Sequence, residues 1–123
     1  KKYQITLVGI SKDNKWFLIT DYNTIDKNWE QLPKEEIKNI VDFLKKFDIV
    51  FPVMHGADGE DGKIQSFFEL FNIKYIGSNS SASKNAMDKY LTKLICEKAN
   101  IPQVPYLCIH KNDKIPKNIE KKF

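Results

Sequence analysis

The sequence predicts an α/β fold, with a parallel sheet flanked by helices, and three observations predict it. An apolar run, Ile49-Val50-Phe51-Pro52-Val53-Met54, ends abruptly on His55 and passes into the glycine-rich, acidic stretch Gly56-Ala57-Asp58-Gly59-Glu60-Asp61-Gly62. Strand-like and helix-like patterns then alternate between Pro33 and Gly77, as they do in parallel sheets covered by helices. Finally, 123 residues with 41% apolar and 12% aromatic content suffice for one ordinary domain with a buried core. Open α/β sheets bind ligands just past the carboxyl ends of their strands, so His55 is expected in a cleft at the end of the Asp48–Met54 strand.

Each element has its own justification. Gln4 to Ile10 and Lys15 to Thr20 read as strands, and the turn cluster Ser11-Lys12-Asp13-Asn14 between them predicts a hairpin. Asp21 to Gln31 is polar and irregular. Pro33 suits the first position of a helix, where its missing N–H costs nothing. Ile37, Ile40, Val41 and Leu44 follow at the spacing of one buried helical face, continued by Phe47. Asp48 to Met54 is hydrophobic almost throughout, as a strand covered on both faces must be. Gly62 to Asn72 predicts a helix whose stripe of Ile64, Phe67, Phe68 and Phe71 belongs to the core. Lys74 to Gly77 reads as a short strand, and Ser78-Asn79-Ser80-Ser81 as a loop rich in helix caps. A helical stretch with Leu91, Leu94, Ile95 and Ala99 on one side stops at Pro102. Tyr106 to His110 reads as a last strand before a lysine-rich polar remainder.

Composition narrows the function. No apolar run approaches a bilayer span, and Lys1-Lys2-Tyr3 does not open a signal peptide. The net charge of +4 is modest, the lysines are scattered, and every basic residue is a lysine. Bidentate guanidinium recognition of phosphate or carboxylate is therefore unavailable, and no nucleic-acid stripe is drawn. Cys96 and Cys108 lack metal-type spacing and are expected to be buried, reduced thiols, which points to a cytoplasmic setting.

The candidate chemistry sits in the loop. A substrate carboxylate needs hydrogen-bond donors, and a histidine at a strand end supplies one, more strongly when protonated. A lone histidine is more often a loop residue bonded to backbone than a ligand, so the loop pattern has to carry the functional reading. Glu60 and Asp61 are expected to cap the following helix and complement its dipole rather than to form an acid–base pair. Lys89, just after the capping residue Asp88, suits a flexible point charge for phosphate, with Lys93 a supporting charge on the same face. Tyr75 and Tyr106 read as packing residues. Ser78, Ser80, Ser81 and Ser83 have no histidine base nearby in sequence and read as caps rather than nucleophiles.

Together these residues resemble a known family. His55-Gly56, Gly59-Glu60-Asp61-Gly62 and Ile64-Gln65-Ser66 are similar to the first signature of the D-alanine–D-alanine ligases. Lys74-Tyr75-Ile76-Gly77-Ser78, Ala86-Met87-Asp88-Lys89 with Thr92-Lys93, and Asn100-Ile101-Pro102 with Pro105-Tyr106 continue the resemblance, which is strongest from Val50 to Tyr106. It implies a Rossmann-like (pre-ATP-grasp) parallel sheet with flanking helices over residues 1–78, with its first strand-loop-helix unit absent, then the first elements of a central ATP-grasp domain over 79–123. The activity implied is ATP-dependent joining of two D-alanines through a D-alanyl phosphate, giving the dipeptide end of the peptidoglycan stem. His55 and Gly56 would bind the first D-alanine and Lys89 the nucleotide phosphates, with Gly59 and Gly62 shaping the loop.

The resemblance also implies Mg2+ with ligands outside this chain, no catalytic residue within it, and homodimerisation through the N-terminal domain. The family's opening glycine-rich loop, the remainder of its central domain and its C-terminal domain are not matched, so the chain is expected to be an internal piece of the enzyme. Two rivals accompany this reading: a ligase that joins D-alanine to D-lactate or D-serine, and a non-catalytic binding module derived from the same fold.

Overall fold

The computed structural model describes residues 2–21, 28–116 and 119. Residues 22–27 of the irregular stretch expected over 21–31, and residues 117, 118 and 120–123 of the lysine-rich remainder, therefore lie outside the described residues. The chain forms two compact units, Lys1–Val50 and Phe51–Phe123.

The first unit is built on an antiparallel meander: β1 (Val8–Ile10), β2 (Trp16–Ile19) and β3 (Lys34–Glu36), in that order. The expected hairpin is present. Val8 pairs with Leu18 and Ile10 with Trp16, and the turn closes through Ser11 N–H donating to Lys15 O at 2.9 Å. Asn14 takes the left-handed turn conformation at φ 60°, which asparagine tolerates better than most residues. A 3-10 turn, Trp29–Gln31, lays the Trp29 indole on Gly9, where an added Cβ would meet ring carbons at 2.3 Å. The Lys34 amine lies over both the Phe17 and Trp29 rings, 5.2 and 5.5 Å from their centroids.

Pro33 does not open a helix. The Thr20 N–H donates to its carbonyl at 3.0 Å, and Lys34–Glu36 pairs with Ile19–Phe17 along the free edge of β2. Proline fixes its own φ but not the path beyond it, and the unpaired ladder of β2 decides that path. The helix starts later, as α1 (Ile40–Leu44), where Asn39 Oδ1 accepts from Asp42 N–H at 3.2 Å. Of the predicted stripe Leu44 is buried, with Ile19 and Leu32 also in the core, and Phe43 meets Phe47 edge-on at 5.2 Å.

The second unit contains α2 (Lys63–Leu70), α3 (Ser80–Met87) and α4 (Lys89–Lys98). The aromatic stripe expected in the core is there in part, since Phe67 and Phe71, the latter just past the end of α2, are half-buried. Ile64 and Phe68 are buried, and Phe68 lies 5.9 Å from Phe67 and 5.3 Å from Tyr75. Gly62 precedes α2 at φ 91°, and a Cβ there would stand 2.4 Å from Ser80 O, so the α2 start and α3 approach backbone to backbone. The helical stretch expected from Leu91 onward is α4, and Asp88, an extended residue at φ −84°, ψ 104°, ends α3 and caps α4. The apolar side of α4 is partly exposed, and Cys96 and Cys108 are free and half-buried rather than buried.

The mixture of helices and sheet agrees with the α/β class. The expected parallel strands are not formed as such: among the described residues the sheet is antiparallel. Asp48–Met54 has only a single bridge residue, Val50, and Lys74–Gly77 only Tyr75, while Tyr106–His110 has no regular structure. Ile49, Phe51 and Val53 are 52, 67 and 70% exposed. A strand is a pairing and not a property of one segment, so an apolar run without a full ladder beside it stays extended but unassigned.

Candidate functional site

The site loop is a tight turn tied down at both ends. Gly59 and Glu60 N–H both donate to Gly56 O, at 3.3 and 3.0 Å. The Glu60 side chain folds back over the turn, and its Oε2 accepts from Gly56 N–H at 2.6 Å. Gln65, buried on α2, donates through Nε2 to Gly59 O at 2.9 Å and so fixes the turn to the helix. Its Oε1 is buried with no partner among the described residues.

His55 stands at the mouth of this turn. Its side chain is 90% exposed, so within this chain it projects outward rather than lying in the expected enclosed cleft. Nδ1 is 3.8 Å from Glu60 Oε1. Gly56 is not a free donor, because its N–H is taken by Glu60.

The two acids after the turn therefore part company. Asp61 does what the sequence predicts: its Oδ1 accepts from Lys63 N–H at 3.2 Å at the start of α2. Hydrogen bonds from the Asp58 backbone, then from Lys63, hold its carboxyl below the usual range. Glu60 does not cap the helix but serves the His55–Gly56 end of the loop. An acid four residues beyond the Gly56 amide is the only sequence signal for this, and it needs the turn to bring the two together. Lys63 bridges Asp58 and Asp61, and those carboxylates raise its pKa.

Lys89 lies elsewhere in the unit, as the first residue of α4. Asp88 caps that helix as predicted, its Oδ1 accepting from Leu91 N–H at 2.9 Å. Thr92 Oγ1 donates back to Asn85 O at 2.9 Å and braces the α3–α4 corner. The Lys89 amine is exposed and has no hydrogen bond or ion pair among the described residues, and none joins it to His55 or Gly56. Lys93 is otherwise engaged, with its amine 5.3 Å from the centroid of the Tyr106 ring. An open groove of about 740 Å³ runs beside the corner, lined by Asp61, Lys63, Ser66, Ser80, Lys84 and Asp88 among others.

One network escaped the sequence reading. Glu69 accepts from Ser80 N–H at 2.9 Å, from Ser80 Oγ and from the Tyr75 hydroxyl at 2.8 Å. It clamps the loop after α2 to the start of α3. Tyr75 is thus more than packing, and Ser80 is a tie as well as the first residue of its helix.

Comparison with known proteins assigns the chain. The model of the family described as D-ala D-ala ligase N-terminus matches residues 1–78. The chain belongs to this family. The D-alanine–D-alanine ligase of Enterococcus faecalis is 40% identical over 92% of the chain, and that of Acetivibrio thermocellus 38% identical over 86%. The chain spans 36% of the length of each of these relatives. Among solved structures, the D-alanine–D-alanine ligase of Coxiella burnetii superposes with a TM-score of 0.66 at 28% identity, covering 92% of this chain and 37% of that one. The enzyme from Aeromonas hydrophila does so with a TM-score of 0.66 at 30% identity, covering 90% and 39%. Membership of this ligase family thus fixes the fold relationship that the residues around His55 and Met87-Asp88-Lys89 suggested. Among the described residues no helix is long and apolar enough to cross a membrane.

Proposed function

We propose that the chain supplies the N-terminal part of an ATP-dependent D-alanine–D-alanine ligase, with residues 1–78 forming the N-terminal domain and residues 79–123 the beginning of the central one. The observation that supports this most directly is the His55–Gly62 loop. It is a self-contained turn, tied to α2 by Gln65, that presents an exposed imidazole within a chain related along most of its length to named ligases. In this reading His55 binds the carboxylate of the first D-alanine. Gly56 contributes by holding the turn through Glu60. The reaction takes place in the cytoplasm and feeds peptidoglycan synthesis, and the N-terminal domain pairs the enzyme as a homodimer.

ATP fits Lys89. The lysine is exposed, engaged by nothing among the described residues, and sits at a helix start where the dipole also favours anions. Bound ATP supplies the phosphoryl group that activates the carboxylate, and Lys89 would meet the charge of its phosphates. Mg2+ finds no holder here: among the described residues no group of three His, Cys, Asp or Glu side chains could bind a metal ion. In this reading its ligands are supplied by other parts of the enzyme.

Two substitutions in the full-length enzyme test these roles. Charge-assisted hydrogen bonds are worth about 1.5–3 kcal/mol, so His55→Ala should weaken binding of the first D-alanine by roughly 10- to 100-fold, with little change for ATP. Lys89→Met should do the converse, raising the KM for ATP or lowering kcat. Unchanged D-alanine affinity in His55→Ala, or unchanged nucleotide kinetics in Lys89→Met, would remove the corresponding role.

A further inference from the structure

Glu60 already engages the two groups at the mouth of the turn. One carboxylate oxygen accepts the Gly56 N–H at 2.6 Å, and the other lies 3.8 Å from His55 Nδ1. The Nδ1 edge of the ring thus faces an anion of the protein's own. The Nε2 edge is the one left to a ligand, and the 90% exposure of the side chain leaves it open. The other charges of the loop are occupied among themselves, since Lys63 pairs with Asp58 and Asp61. Among the described residues the ring makes no other ion pair, so Glu60 is the charged group that faces it.

An imidazole with a carboxylate at each edge can donate to both only when each nitrogen carries a proton. A neutral ring must present a lone pair to one of them. We infer that Glu60 is the positioning residue and counter-ion of His55: it holds the Nδ1 edge, and the substrate carboxylate binds at Nε2 together with a proton taken from solvent. The inference rests on the reading of His55 as the carboxylate ligand of the first D-alanine. A purely structural Glu60, closing the turn through Gly56 and nothing more, would leave binding indifferent to that proton.

Proton uptake is therefore the readout. D-alanine binding to the full-length enzyme is followed by calorimetry at about pH 7.5 in buffers of different ionisation heat, at concentrations that fill one site. The unmodified enzyme should show net proton uptake on binding D-alanine. In Glu60→Gln the ring no longer faces an anion at Nδ1. The amide N–H can donate to Nδ1 while neutral Nε2–H serves the substrate, so uptake should fall close to zero. Glu60→Asp, which keeps the charge, should restore it. Glutamine retains an oxygen for the Gly56 N–H, so the turn should persist, and a thermal melt checks this. Equal uptake in the unmodified enzyme and Glu60→Gln would overturn the inference. A second measurement needs no substitution: ring-nitrogen NMR of the D-alanine complex should show both His55 nitrogens protonated, and one bare nitrogen would overturn it. His55→Ala distinguishes failure of the His55 ligand role from failure of the Glu60 role. Unaltered D-alanine affinity there refutes His55 as the ligand, whereas lost affinity with unaltered proton uptake in Glu60→Gln refutes only the role of Glu60.

Discussion

The Tyr75 hydroxyl lies 2.8 Å from Glu69 Oε1, and each group changes the acid strength of the other. Burial, then the adjacent Glu69 carboxylate, pushes the phenol up to about 12 from 10.0. Hydrogen bonds from Ser80, then Tyr75, hold the Glu69 carboxyl below 4.5. The signs are opposite. The raised phenol favours the folded chain fully below pH 10 and loses that advantage as pH climbs toward about 12. The lowered carboxyl favours the folded chain above its unfolded value and loses that advantage as pH falls through its folded one. The difference in phenolate absorbance between the parent and Tyr75→Phe should therefore develop near pH 12, and Glu69→Gln should bring it closer to 10. The turn after His55 and the Asp88 cap before Lys89 were legible in the sequence because their signal is local: a strand-like run meeting glycines, and an aspartate ahead of a helical stripe. Glu60 and Glu69 were not. Their partners lie four and eleven residues away and meet them only once the turn and the α2–α3 corner have formed.

At the scale of elements, caps and close approaches decide where helices begin. Asp88 stops α3 and starts α4, so Asp88→Ala should cost about 1 kcal/mol, measured by urea unfolding, as the loss of an N-cap usually does. Gly62→Ala should cost more, about 2 kcal/mol or above. It adds a left-handed conformation at φ 91° to a clash with the Ser80 carbonyl, and relief of either requires α2 and α3 to separate. A Gly62→Ala chain as stable as the parent would show that this backbone approach is not kept in solution. The hairpin and the core face of α2 were readable because turn chemistry and side-chain period are carried within each segment. Lys34–Glu36 and the Asp48–Met54 run were misread for a common reason. In the first, a free ladder on β2 recruits residues that would otherwise extend a helix; in the second, the ladder that would make the run a strand is incomplete.

At the scale of the whole molecule, the chain spans little more than a third of its relatives, 36% of the Enterococcus faecalis enzyme. Forming an acyl phosphate concentrates negative charge between nucleotide and carboxylate, and that charge must be met by cations and fixed dipoles in a closed, dry site. Here Lys89 is exposed, His55 is exposed, and no metal-binding group occurs among the described residues. The purified chain should therefore release no phosphate from ATP when given D-alanine and Mg2+. Release that disappears in His55→Ala would contradict this. The fold class and the family could be read from the sequence, because both are written in repeated local patterns. The antiparallel pairing of β3 with β2 could not, since it depends on which edge finds a neighbour. The exposed run through Ile49, Phe51 and Val53 also bears on colloidal behaviour. Alternating bare apolar side chains on extended backbone form a template on which like segments stack, and Pro52, which cannot donate a ladder hydrogen bond, interrupts it. Replacing Pro52 with valine should make a preparation of this chain scatter light and bind amyloid dyes, so the ring that denies this run one ladder hydrogen bond serves as its guard against fibrils.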